Sequence, residues 1–453
     1  MPFTNENDAI NFIFQSMRTR LGWKARGPDE IMRDPTPTTK LLGAHGLLNT
    51  PREYAVVTGS KGKGSTTVIT AKLLQHIGHT VGTVTSPHLV SWRERIRVNG
   101  RAIPQDDFLR ILSDLQPTIE SIDGGLQGQR YFSPQGIFLA IALQWFDEQG
   151  VNAAVLEVGR GGRFDDIAVV PNKVSLFTPI MLEHVAQLGS TLDRIAWHKA
   201  GIIKPMSFAY SVPQATEVLS VLQTEADAQN AEFAWIAPMD MGEYLATTER
   251  GVRMRLGRYG DLDLSLMGSY QIENATLAVQ GAGSMHGRLP GISHGSREYV
   301  EAIRAGLADV TWPGRLQKLD EQPAIYIDGA TTVTAARAFL DSLRDRLTEP
   351  LVTIVATPVD RDYPGVYSVF GPVSRLMILT ENSISMNVQF PDRETALAAA
   401  RQHSGNLAYA DTLSQAVTIA RTAAGRDGTI LIAVAQPVVG EAVQLWGLSW
   451  EQI

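Results

Sequence analysis

The sequence predicts an α/β protein: a parallel-sheet domain of the phosphate-loop type carrying a small antiparallel β portion, then a smaller Rossmann-like α/β domain. Three observations support this. Short apolar runs alternate with segments of helical periodicity in both halves of the chain, which implies parallel sheets covered on both faces. A glycine-rich loop joins the first of these strands to a helix. Between the halves, Val252, Met254, Leu256, Leu262, Leu264 and Leu266 alternate with polar residues, the pattern of an antiparallel hairpin with one wet face.

Residues 10–21 read as an amphipathic helix, and a polar segment with Pro28, Pro35 and Pro37 leads through 40–48 to the glycine loop. Residues 54–57 form the first strand, and apolar positions from Val68 to Ile77 keep helical spacing behind the loop. A second strand over 80–85 ends in Ser86-Pro87-His88. Helices are expected at 104–115 and 136–146, and strands at 153–158, which contains Glu157, and at 174–178, with Glu183-His184 just beyond. Ser190 is expected to cap a helix through Lys199 that Gly201 ends. After the hairpin come a helix from about 271 to 281 and another ending at Leu307. Trp312-Pro313-Gly314-Arg315 reads as a hinge, and strands resume at 324–327, 351–356, 376–379 and 429–433. At 453 residues the chain exceeds one ordinary core. The expected domains are 1–311 and 312–453.

Composition narrows the function. A net charge of −7 without a basic block argues against a nucleic-acid partner. The absence of cysteine excludes disulfides, thiolate metal sites and cysteine nucleophiles. The polar N-terminus with early acidic residues is not a secretory signal, and no apolar run reaches the roughly 20 residues of a membrane span. A cytoplasmic protein with no membrane partner is expected, as a monomer or small homo-oligomer.

The chemistry-bearing stretch is Gly59-Ser60-Lys61-Gly62-Lys63-Gly64-Ser65-Thr66. Strand, glycine loop and helix together make a phosphate cradle: backbone N–H groups converge, and the helix N-terminus adds partial positive charge. Lys63 would reach the outer phosphates of ATP, and a hydroxyl from Ser65 or Thr66 would complete the site through Mg²⁺. Gly64 between lysine and hydroxyl departs from the strict phosphate-loop pattern. Ligands of open parallel sheets bind at the carboxyl ends of strands, which here carry Ser86, His88, Glu157 and, just beyond, His184. A hydroxyl, a carboxylate and an imidazole there could hold Mg²⁺ on ATP. Glu157 is the most informative, because an unpaired charge on a buried strand is costly.

At these residues the sequence resembles the Mur ligase superfamily, and within it the folylpolyglutamate synthase and dihydrofolate synthase family. The matching stretches are TGSKGKGST (58–66), TSPHLVSWRERIRVNG (85–100), VLEVGRGGRFD (155–165), EHVAQLGSTLDRIAWHKAGIIKP (183–205), GSYQIENATLA (268–278), WPGRLQ (312–317) and IDGA (327–330). The resemblance implies an ATP-dependent ligase that converts a carboxylate to an acyl phosphate, which the amine of an amino acid, glutamate above all, then attacks. It implies that Lys63 binds phosphate, that Ser86 and Glu157 bind one Mg²⁺ with Ser65 alongside, and that Glu157 and His184 serve a second. Lys199 matches a lysine carbamylated by CO₂, Asn274 an adenine contact, Arg315 a phosphate contact across the hinge, and Asp328 a ribose contact.

The departures cluster on the substrate side. The family's glycine-leucine-glycine run is Gly159-Arg160-Gly161, and its LDATN is Phe164-Asp165-Asp166-Ile167-Ala168, keeping only Asp165. Pro134-Gln135-Gly136 replaces an aromatic pair and a glutamate. Thr331-Thr332 replaces a His-Asn after Ala330. Ser86, His88, Asp165, Asp166 and Thr331 are the expected substrate-side residues, with Asp166 placed to meet a pterin amino group. Two other readings are the same chemistry on a non-folate carboxylate, and a nucleotide-binding scaffold without turnover.

Overall fold

A computed structural model describes residues 3–21, 27–128, 130–381 and 388–453; part of the expected polar segment, 22–26, lies outside them. Eight strands build the first sheet: β1 (Glu53–Thr58), β2 (Val81–Val84), β3 (Ile96–Val98), β4 (Arg101–Ala102), β5 (Ala153–Glu157), β6 (Val174–Phe177), β7 (Phe208–Ser211) and β8 (Glu232–Trp235). Their order is β4-β3-β2-β5-β1-β6-β7-β8. From β2 to β8 neighbours run parallel, while β3 and β4 add an antiparallel edge.

Alternation along β1 explains the double cover. Tyr54 and Val56 enter a core with helices Glu6–Leu21, Gln105–Gly124 and Pro134–Glu148. Ala55 and Val57 face Lys63–Ile77, Gln271–His286 and Arg297–Asp309 on the other side. The antiparallel portion is a three-stranded sheet, β9 (Glu243–Thr247), β10 (Val252–Leu256) and β11 (Gly260–Leu264), in the order β11-β10-β9. Its Val252, Met254, Leu262 and Leu264 pack into that second core.

The second large sheet holds β12 (Gln317–Glu321), β13 (Ala324–Asp328), β14 (Leu351–Ala356), β15 (Leu376–Thr380), β16 (Leu407–Ala410) and β17 (Thr429–Val434), ordered β12-β13-β17-β14-β15-β16. Only β12 is antiparallel to its neighbour. The two α/β units with parallel-dominated sheets are the fold class that the alternation predicts. Several boundaries differ. The helix expected from a Ser190 cap through Lys199 spans Leu192–Ala200 and begins from Thr191, whose side chain makes no cap bond. β3, β4, β7, β8, β9, β12 and β16 escape the sequence pattern. Of these, β4, β8, β9, β12 and β16 are edge strands.

Candidate functional site

The loop between β1 and helix Lys63–Ile77 is shaped by two glycines. Gly59 has φ 147°, and a Cβ there would lie 1.9 Å from Thr178 Oγ1. Gly62 has φ 83°, and a Cβ would lie 2.2 Å from Asn274 Oδ1. Side chains are therefore excluded at both positions. Ser60 fixes the loop to the end of β6: its N–H donates to the Pro179 carbonyl (2.7 Å), and its Oγ accepts from Met181 N (2.9 Å). Thr58 Oγ1 donates to the Gly161 carbonyl (2.6 Å), tying β1 to the loop after β5. Ser65 and Thr66 are buried in the first helical turn.

Two lysines converge on one acceptor. Lys63 Nζ donates to the Gly59 carbonyl (3.1 Å), and Lys199 Nζ donates to the same oxygen (2.7 Å) and to Glu183 Oε1 (3.1 Å). Lys199 is 1% exposed. Burial and then the Lys63 charge push its amine down to about 8. Burial opposes the Glu183 charge, but Lys199 and Lys63 together hold its carboxyl below the ordinary range. Around Lys61 stand Glu183, Arg361, Lys63 and Arg315.

Glu157 ends β5 and is 4% exposed. Its Oε2 accepts one backbone N–H, from Ser86 (2.9 Å). Burial raises its pKa, opposed by Lys63, the Ser86 N–H, Arg315 and Arg95. Among the described residues, no group of three or more His, Cys, Asp or Glu stands together as a ready metal cage. One buried carboxylate bonded to the Ser86 backbone instead suits a hard cation that keeps water and phosphate oxygens as its other ligands, which is how magnesium is usually held. Ser65, Ser86 and Glu157 fit that role. His184 is exposed, in the left-handed region with φ 48°, at the start of the short helix Val185–Leu188.

Asn274 crosses to the loop from helix Gln271–His286. Its Oδ1 accepts from Thr66 Oγ1 (3.4 Å), and its Nδ2 donates to Gln271 Oε1 (2.9 Å). Gln271 Nε2 is buried with no partner, a donor that sequence reasoning missed. From the second sheet, Asp328 Oδ2 at the end of β13 accepts from Leu316 N (2.8 Å) and so folds the hinge back. A Cβ on Gly329 would lie 3.0 Å from Arg315 Nη1, so glycine leaves room for that guanidinium. Trp312 packs on Gly64. Thr331 N donates to Gly329 O (2.9 Å), and Thr332 caps helix Val333–Leu343.

The expected substrate residues are placed differently from the lysines. His88 Nδ1 accepts from Arg95 Nε (3.2 Å), and its ring lies 4.1 Å from that of Trp92. Burial, then Arg95, push its pKa to about 3, so it is neutral. Asp165 caps its own turn through Ile167 N (3.1 Å) and accepts from Arg33 Nη1 (3.0 Å). Asp166 accepts from Thr38 Oγ1 (2.6 Å) and Ser133, with Arg33 Nη2 at 3.9 Å. Arg160 pairs in two-pronged fashion with Asp29, and Arg194 pairs with Glu30. A Cβ on Gly136 would strike Thr38 Oγ1 at 1.8 Å. The sequence departures Arg160, Asp166 and Gly136 thus belong to one network that clamps 29–38 onto the loop after β5.

Burial, opposed by Arg33 and reinforced by Asp165, raises Asp166 to about 6, while Arg33, shared among three aspartates, is held above its ordinary value against its own burial. Arg33→Met should cost about 3–5 kcal/mol at pH 8, because two buried carboxylates lose their cation. The sign follows from linkage. Losing Arg33 lifts the folded-state pKa of Asp166 further above its unfolded value, so the penalty builds as pH rises above about 6 and is smaller on the acid side. Urea unfolding at pH 5 and 8 checks this; an equal loss at both would contradict it.

Comparison with known proteins bears on the whole site. Residues 314–435 match the family model described as Mur ligase, glutamate ligase domain. The chain is 33% identical to the dihydrofolate synthase/folylpolyglutamate synthase of Bacillus subtilis, over 68% of this chain and 71% of the relative. It is 30% identical to the Mycobacterium tuberculosis protein of the same description, over 86% of this chain and 83% of the relative. The M. tuberculosis folylpolyglutamate synthase structure complexed with ADP superposes with a TM-score of 0.82 at 28% identity, covering 98% of this chain and all of that one.

Proposed function

This chain belongs to the folylpolyglutamate and dihydrofolate synthase family of Mur ligases, and from that membership we propose how its own residues run an ATP-dependent acid–amino-acid ligation. The acceptor's carboxylate oxygen attacks the γ-phosphoryl group, ADP leaves, and an acyl phosphate forms. The amine of the incoming amino acid then attacks the acyl carbon, phosphate departs, and the nitrogen loses a proton as the amide forms. The observation that carries this reading is the pairing of Lys63 and Lys199 on the Gly59 carbonyl beside the buried Glu157.

Lys63 is free to exchange the Gly59 carbonyl for a phosphate oxygen, and Arg315 brings a second cation from the other side of the hinge. Catalysis of this kind is chiefly positioning and charge stabilisation. Asn274 and Gln271 supply polar atoms for the base, and Asp328 an acceptor for the ribose. Held by Ser65, Ser86 and Glu157, magnesium would neutralise charge on the phosphates, with His184 and Lys199 serving a second ion.

Lys199 fits a carbamate. An amine lowered to about 8 is substantially neutral near that pH and can attack CO₂, releasing a proton. Conversion of a cation to an anion also relieves the repulsion from Lys63. Glu183 then keeps Lys63 and Lys61 as its neighbouring cations.

The acceptor is a folate-like carboxylate and the amino acid is glutamate, as the names of the relatives state for those proteins. A panel of reduced folates, dihydropteroate and other carboxylates, each with several amino acids, tests this by ADP release. Turnover of a folate or pteroate acceptor with glutamate is expected. Strong turnover of an unrelated carboxylate with none for any pterin-bearing acceptor would move the protein to different substrates. Among the described residues no helix is long and apolar enough to cross a membrane.

A further inference from the structure

The segment after the last helix, Gln436–Leu445, returns to the first sheet. Ala102 N donates to Glu451 O (2.8 Å) and Ile453 N to Gly100 O (3.1 Å), so 451–453 pair antiparallel with the edge strand β4, with Arg101 opposite Gln452. The bond is reinforced from inside the sheet. Arg97, on β3, is 2% exposed, and its guanidinium donates to Trp450 O (2.6 Å), Glu451 O (3.1 Å) and Gly100 O (3.1 Å). A buried guanidinium that serves backbone carbonyls of a segment from the other sheet's unit is expensive unless those carbonyls stay in place.

The unit of the second sheet is therefore joined to the first through two stretches of backbone, the 310–316 linker and this returning strand, and Arg346 adds a third contact by donating to the Thr248 and Glu249 carbonyls. Both tethers reach the same small cavity, where Trp312 and Arg315 meet Trp450, Arg97 and Glu94. Helix Gln436–Leu445 fills the wedge between them: a Cβ on Gly314 would lie 2.2 Å from Val439 Cγ1, and one on Gly440 would lie 2.0 Å from Leu89 O.

We propose that Arg97 is a positioning residue: by docking 450–453 on β4 it supplies the second pivot and fixes how the second unit closes over the phosphate loop. The turnover readout rests on the ligase reading above; the shape readout does not. The chain has no cysteine, so one pair can be introduced cleanly. Arg101 and Gln452 form a narrow antiparallel pair, which suits a disulfide.

The test combines Arg97→Met with Arg101→Cys/Gln452→Cys. With the pair reduced, Arg97→Met should lower kcat about tenfold and enlarge the radius of gyration in solution scattering, with nucleotide affinity changed by less than about threefold. Oxidation should restore kcat and compactness, and reduction should remove both again, which a merely destabilised core would not do. In the Arg97 parent, oxidation should leave turnover unchanged. The proposal is overturned if reduced Arg97→Met matches the parent in kcat and shape, if oxidation fails to restore it, or if oxidation of the parent pair stops turnover, which would mean the strand must undock. Should Arg97→Met not fold, Ile453→Pro removes the donor to Gly100 and takes its place with the same expectations. If no acceptor supports turnover in the parent, scattering of the same variants still decides the pivot.

Discussion

Lys63→Ala should lower ATP-dependent turnover by about a hundredfold to a thousandfold while leaving the unfolding midpoint nearly unchanged. The half-buried side chain hydrogen-bonds the Gly59 carbonyl and packs in no apolar core, so its removal opens none. It occupies the first position of helix Lys63–Ile77, where alanine is an excellent helix former. The ammonium is also the charge that most strongly offsets burial at Glu157. Its loss should thus raise the Glu157 pKa further and shift the activity profile to higher pH. Turnover within tenfold of the parent would remove Lys63 from phosphate chemistry.

The second large effect is expected at Lys199. Lys199→Ala should reduce turnover by about a hundredfold or more, and formate or acetate should recover part of it by restoring carboxylate oxygens where the carbamate stood. The parent should respond to bicarbonate, and more strongly near pH 8 than near pH 6.5, because the amine is lowered to about 8. Absence of both rescue and bicarbonate dependence would leave Lys199 as an ammonium held by Glu183, with a direct electrostatic role.

The phosphate loop was legible because it is local. A strand, glycines at positions that exclude a Cβ, a lysine and a helix all lie within one short stretch, and Glu157 stood out as a carboxylate at the end of a buried strand. Asn274 was accessible only through the resemblance, since it meets Thr66 across 208 residues. The clamp was not legible at all. Arg160 and Asp29 are 131 residues apart and Arg33 and Asp165 are 132 apart, and each is an ordinary surface-like residue in its own context. Asp166 was expected on the substrate side from the family pattern; its partners Arg33 and Thr38, at least 128 residues away in sequence, could not be foreseen. The edge strands were missed because they are short: the apolar triplet Phe233–Trp235 of β8, without alternation, does not separate a strand from a loop or a helix turn. Trp450–Ile453 gave no signal because its partners are backbone carbonyl and N–H groups, which every sequence possesses.

The ligation itself is tested most directly by following the acceptor's oxygen. With heavy oxygen in the acceptor carboxylate, ATP and glutamate, one labelled oxygen should appear in the released inorganic phosphate for each amide formed, and ADP should accumulate in equal amount. Unlabelled phosphate would mean that water attacks ATP, and AMP with pyrophosphate would mean an adenylate. Either result would contradict an acyl-phosphate ligase.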